Sequence, residues 1–157
     1  MKKLLTLVLV LSYVLVLIGC NNAKQAEVST YFFHGEHEYF AISNGSIILG
    51  DTEEVFDGGD LQITQFGLFE EVASYSTTFY TLINGVRRIL LSNSVIDQTG
   101  GKVNVDGDLG KISEKNSIIG SKVKSIAKLR ENLWFELKTT DLNGMENVYQ
   151  IQLSITE

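Results

Sequence analysis

The pattern of apolar and polar positions changes character once along this chain. From Leu4 to Ile18 the residues are apolar except for Thr6, Ser12 and Tyr13, with no period. After residue 28 the apolar positions recur mainly in short runs or at every second residue, the signature of half-buried β-strands. Thr30 to His34 is the first such run, followed by Tyr39 to Ser43, which Asn44-Gly45 is expected to close. Ser46 to Leu49, Val55-Phe56 and the alternating Leu61, Ile63 and Phe66 come next, with a turn expected at Asp57-Gly58-Gly59-Asp60.

Two hairpins stand out. Ser74 to Ile83 runs into Asn84-Gly85 and returns as Val86 to Leu91. Asn-Gly suits a type I′ turn, whose two central residues need positive φ. Leu133 to Thr139 turns at Asp141-Leu142-Asn143-Gly144 and returns as Val148 to Ile155, with Tyr149, Ile151, Leu153 and Ile155 on the inner face. Trp134 reads as a core residue. Between the hairpins, residues 100–116 are polar and rich in Gly and Asp, and residues 118–130 read as a short helix or turn. Seven to nine short strands without a sustained helix predict an all-β fold, a two-sheet antiparallel sandwich.

The apolar opening follows Met1-Lys2-Lys3 and stops at Leu17-Ile18-Gly19-Cys20. A cationic start and an apolar stretch make a secretory leader. The four residues at its end match the bacterial lipobox. There the Cys20 thiol accepts a diacylglycerol, and the small Gly19 admits the signal peptidase. Cys20 is also the only cysteine, so neither a disulfide nor thiol catalysis is available to the rest of the chain. The expected organisation is a signal peptide over 1–19, the lipidated Cys20 with a polar tether over 20–29, and one sandwich domain over 30–157. The expected address is the outer face of a cell membrane. Asn21 stands where an Asp would signal inner-membrane retention in Gram-negative cells, and a chain without proline that favours Lys, Ile and Asn suggests a low-GC Gram-positive source.

Charge narrows the partners. The chain has 13 basic and 19 acidic residues; losing Lys2 and Lys3 with the leader takes the net from −6 to −8. Nucleic acid, which needs a basic surface, is not an expected partner. The same sign argues against anionic lipid headgroups as a binding partner for the folded part.

Phe33-His34-Gly35-Glu36-His37-Glu38-Tyr39-Phe40 and the terminal hairpin resemble small uncharacterised lipoproteins of Gram-positive bacteria that carry an immunoglobulin-like β-sandwich domain. In those proteins an opening strand ends in a Gly-Glu turn, an aromatic residue opens the second strand, and a late hairpin turns on Asp-x-x-Gly. Tyr39 or Phe40 stands where Trp is frequent. The resemblance implies an immunoglobulin-like architecture and transfers one functional residue, the lipidated Cys20.

Candidate chemistry is sparse. His34 and His37, with Glu36 and Glu38, hold metal-ligand types, but a strand sends neighbouring side chains to opposite faces. Asp97, Asn104, Asp106 and Asp108 pose the question of calcium. An EF-hand register beginning at Asn104 puts Leu109 where glycine is required and Lys115 where an acid is. No cofactor or metal is therefore expected, with His34, His37, Asp106 and Asp108 the candidates that remain. There is no Gly-x-Ser-x-Gly, P-loop or dinucleotide fingerprint. The aromatic concentration Tyr31, Phe32, Phe33, Tyr39 and Phe40 is either a binding face or, by alternation, half of a core; the second is the expectation. The function expected is that of a membrane-anchored, monomeric binding or envelope-interaction module with a protein or glycan partner, and not an enzyme. A calcium-stabilised adhesive domain and an envelope hydrolase are the alternatives.

Overall fold

The computed structural model describes residues 28–115 and 122–157, with the side chains of 122–125 left aside. Cys20 and the leader lie outside the described residues, as do residues 118–121 of the segment expected to be helix or turn. The protein is the expected all-β sandwich of two antiparallel sheets. The first contains β1 (Ser29–Glu36), β2 (Phe40–Leu49), β3 (Glu54–Asp57), β4 (Asp60–Ile63), β7 (Gly107–Asp108), β8 (Lys111–Glu114) and β11 (Ser154–Thr156). The second has the order β10 (Glu146–Gln152), β9 (Leu133–Asp141), β5 (Val72–Ile83), β6 (Val86–Ile96). A helix, α1 (Lys122–Arg130), precedes β9 and buries Ile126 and Leu129. Its last carbonyls are met by Asn132, whose side chain donates to the Lys128 carbonyl.

The two expected hairpins are present. Asn84 and Gly85 have φ of 52° and 75°, the type I′ geometry. Asp141 Oδ1 accepts the backbone N–H of Asn143 and of Met145, closing the other turn. Along β10, Ile151 is buried and Val148 exposed, as the alternation predicts. Trp134 is not in the core. It lies half-buried on the outer face of β9, opposite Tyr80, because Leu133, Phe135 and Leu137 hold the inner positions. Of the opening aromatics, Tyr31, Phe33 and Phe40 are buried and Phe32 faces outward.

The structure corrects the reading of two glycine-bearing segments. Asn44-Gly45 does not close a strand; it lies inside β2. Asp57-Gly58-Gly59-Asp60 does not reverse the chain. β3 and β4 lie end to end along the same side of β2, in one continuous register (Ser46 opposite Asp57, Ser43 opposite Asp60). β8 and β7 follow that line on the far side, joined by Leu109-Gly110. These interruptions line up into a crease across the sheet. At the crease, β2 carries one extra residue against β1: Phe33 pairs with Gly45 but Gly35 with Ile42. Inward-facing positions are Phe40 and Ile42 before it, Ile47 and Leu49 after it. The next ribbon changes phase in step, from Phe56 to Leu61 and Ile63.

Residues tolerant of unusual backbone make this possible. Asn44 has φ 59° and Gly59 φ 70°. A Cβ on Gly59 would come within 2.1 Å of the Ser43 carbonyl, and one on Gly45 within 2.1 Å of the Phe33 ring. The Phe33 ring so seated meets Phe56 at 5.2 Å and Phe79 of the opposite sheet at 5.7 Å; Phe79 meets Phe135 at 5.0 Å. Each such fully buried ring stabilises the fold by about 1.5–3 kcal/mol.

Gly45→Ala and Gly59→Ala should each destabilise the protein by about 2–4 kcal/mol. Gly85→Ala, which needs positive φ but meets nothing within 4 Å, should cost about 1 kcal/mol. Denaturant unfolding of the three variants checks the order, and a Gly45→Ala cost no greater than that of Gly85→Ala would contradict the crease.

Candidate functional site

β1 and β2 meet at a turn over residues 37–39, where His37 N–H donates to the Phe40 carbonyl at 2.8 Å. The backbone N–H groups of Thr64 and Gln65 both donate to the Tyr39 carbonyl, which fastens the segment after β4 to this turn. A 3-10 turn, Phe66–Leu68, follows. Leu142 N–H donates to the Glu71 carbonyl, so the β9–β10 turn closes on the same end of the sandwich. The register requires this: β5 begins here at Val72, opposite Asp141, where β9 ends.

An aromatic cluster underlies this end. The His37 ring stacks on Phe40 at 4.8 Å and 10° and meets Tyr39 at 5.1 Å and Tyr149 edge-on at 5.6 Å. Tyr149 also touches Phe69 at 5.7 Å. His37 Nδ1 accepts the backbone N–H of Tyr39 at 3.3 Å, so that nitrogen is occupied as an acceptor. The Glu38 carboxylate, through charge and then hydrogen bonding, pushes the Tyr39 phenol up, and burial pushes up Tyr149. Both hydroxyls therefore stay protonated at neutral pH. Beyond the cluster, Phe66 (63 % exposed), Leu68, Leu142 and Met145 (62 %) present apolar surface to solvent. Phe66 also lines a shallow pocket of about 210 Å³, with Phe69, Glu70 and residues 103–105. Charged groups at this end include Glu38, Glu70, and Glu71 paired with Lys102.

The candidates from the sequence fall in different places. His34 is exposed on the outer face of β1, opposite Ser154, at the crease. His37 is stacked within the aromatic cluster. Asp106 Oδ1 accepts Ile63 N–H, tying the segment before β7 to β4. Asp108 Oδ1 accepts Gly110 N–H at 2.6 Å. Among the described residues no three His, Cys, Asp or Glu are grouped as metal ligands. A larger cleft, about 410 Å³, opens between β6 and residues 105–110, lined by Tyr75, Thr77, Asn93, Val95 and Asp108. Two of its polar side chains bond backbone: Asn93 donates its amide to the Leu109 carbonyl, and Asp108 accepts Gly110 N–H.

One further cluster escaped the sequence. On the outer face of β5, Tyr80 is nearly fully buried beneath Arg87, whose guanidinium carbon is 3.8 Å from the ring centre. Arg87 makes two hydrogen bonds to Glu136, at 2.9 and 2.8 Å, and Gln150 adds a third. The Arg87 hydrogen bonds hold the Glu136 carboxyl below its ordinary range, against the cost of partial burial.

No protein-family model matches the chain, and neither a curated protein nor a solved structure does.

Asp106→Ala, which strips the acceptor from Ile63 N–H, should cost about 1–2 kcal/mol in a denaturant titration. The thermal midpoint should be the same with and without EDTA, because the carboxylate is used on the backbone; a midpoint lowered by chelation would restore Asp106 and Asp108 as metal ligands. Glu136 is depressed in the folded state, so its stabilisation is present in full above the unfolded value of about 4.3 and is lost as pH falls through the lower folded value. Glu136→Gln should therefore flatten the loss of stability below about pH 5, measured by unfolding across pH, and leave the slope above it unchanged.

Proposed function

We propose that this chain is a lipid-anchored extracytoplasmic lipoprotein of the kind its lipobox resembles, held by diacylglycerol on Cys20, whose sandwich binds a protein of the cell envelope. The observation that carries the binding half is the gathering of Phe66, Leu68, Leu142 and Met145, exposed, at one end of the sandwich. Phe69 of the same segment is buried, whereas these four are not, and exposed apolar side chains at one end of a domain mark contact surfaces. Aromatic and methionine side chains are favoured where proteins meet. Leu68, Leu142 and Met145 offer flat or flexible aliphatic surface, which suits a protein more than a sugar that stacks on rings. This end is also the one away from Ser29, where the chain arrives from Cys20. A partner-binding end facing away from the anchor is free to be reached.

The anchoring half rests on the basic start, the apolar run and Leu17-Ile18-Gly19-Cys20. Intact mass of the protein from its host should show the first nineteen residues gone and acyl chains on Cys20. Cys20→Ser should move it from the membrane to the soluble fraction; unchanged association would refute the anchor. For the binding half, a photo-crosslinking residue at Leu68 should give a discrete protein adduct in cells that Met145→Asp abolishes while the melting midpoint stays put. No adduct at Leu68, or one indifferent to Met145→Asp, would refute it.

A further inference from the structure

We infer that the tip of the β5–β6 hairpin rests on the lipid bilayer that holds Cys20, an inference that depends on the anchoring reading above. Three contacts place this tip at the end of the sandwich where the tether enters. Phe32 of β1, three residues from Ser29, pairs with Thr156. Glu157, the next residue, forms an ion pair with Arg130 at the end of α1. Two residues on, the Asn132 carbonyl accepts Leu82 N–H. The nine residues from Cys20 to Val28 span at most about 30 Å in any conformation. A lipid on Cys20 therefore keeps this end of the domain near the membrane.

The hairpin is shaped for that surface. β9 begins at Leu133, opposite Thr81, so the residues from Leu82 to Arg87 reach past the edge of the sheet. Leu82 and Ile89 (58 % exposed) share the outer face, and Val86 (67 %) stands beside the Asn84-Gly85 turn. Arg87 is bound to Glu136, which braces the overhang against β9. The charged residues beside Val86 and Ile89 are Arg87 and Arg88, both basic, so the acidic net charge of the chain is not concentrated at this tip. Few aliphatic side chains bind weakly from solution, but a segment already held at the surface pays little further entropy to enter it.

The lipidated full-length product, reconstituted in phosphatidylcholine–phosphatidylglycerol vesicles, tests this. A lipid thioether occupies Cys20, so Val86→Cys is the only free thiol and takes a polarity-sensitive fluorophore. Its emission should be blue-shifted and quenched at least twofold more by spin-labelled lipid than the same label at Met145→Cys, which iodide should quench instead. Adding Leu82→Ser and Ile89→Ser should abolish the difference. A Val86 label as open to iodide as the Met145 label, with acyl mass on Cys20 confirmed, overturns the hairpin contact and leaves anchoring intact; so does a label shielded from both quenchers, which means a protein covers it. A mass without acyl chains overturns anchoring and this contact together.

Discussion

The fold depends on one steric arrangement, the Phe33 ring lying directly on the backbone of Gly45. With any side chain at residue 45 the ring would be displaced, because a Cβ would overlap three of its carbons. With the ring in place, Phe33 reaches both Phe56 of its own sheet and Phe79 of the other. Phe79 in turn meets Phe56 at 5.2 Å and Phe135 at 5.0 Å. Four rings thereby join the two sheets at the level of the crease. Rings packed edge-to-face add about 0.5–1.5 kcal/mol per pair beyond the area they bury.

The crease follows from the same arrangement. A bulge on one strand shifts its inward face by one residue, and the neighbouring strand must shift too or bury its polar face. Here β2 slips at Asn44, and the β3–β4 ribbon slips at Gly58-Gly59, opposite it. The carboxylates nearby brace the resulting irregular segment, two on backbone N–H groups and one on the Asn44 side chain. Asp57 Oδ1 accepts Gly59 N–H, Asp60 accepts the Asn44 amide, and Asp108 accepts Gly110 N–H. The segment that reads as an oxygen-rich loop thus carries backbone braces, through Asp106 to Ile63 N–H and Asp108 to Gly110 N–H. A carboxylate one or two residues from a glycine in an interrupted strand satisfies a donor that the ladder no longer reaches.

Much of this fold was legible in the order of residues, and the misreadings share one cause. Alternation and turn chemistry agreed at Asn84-Gly85 and over 148–152 and gave both hairpins, but the alternation that runs on to Ile155 hid the break after Gln152, where Ser154–Thr156 crosses to β1 of the other sheet. Asn44-Gly45 and Asp57-Gly58-Gly59-Asp60 misled because left-handed backbone serves a reversal and a bulge alike; only the partner strand distinguishes them. Trp134 misled because size argues for the core, while the phase of Leu133, Phe135 and Leu137 puts it outside. Of the candidate site, His37, Tyr39 and Phe40 were visible as chemistry, but not their meeting with Tyr149 from 110 residues away. Leu142 and Met145 carried a signal that was passed over, since apolar residues flanking Asn143-Gly144 cannot reach a core from a turn. The brace between Arg87 and Glu136 had no local signal at all.

The chain's topology gives the sandwich two unlike ends. After Gln152 the last strand leaves the second sheet, turns about buried Leu153, and pairs as β11 with β1 of the first. That switch brings the final residue beside β1, and α1 locks against it through Arg130 and Glu157. Ser29, Glu157 and the β5–β6 tip are thereby collected at one end. The opposite end is made of turns, those over residues 37–39, 66–69 and 142–145, seated on the His37 and Tyr149 rings. Phe40 links the two levels, stacked under His37 at 4.8 Å and meeting Phe135 of the four-ring junction at 5.9 Å. If the anchor proposed on Cys20 holds, it restrains the end that receives the chain at Ser29, and the turns at the other end are the part whose chemistry is open to a partner.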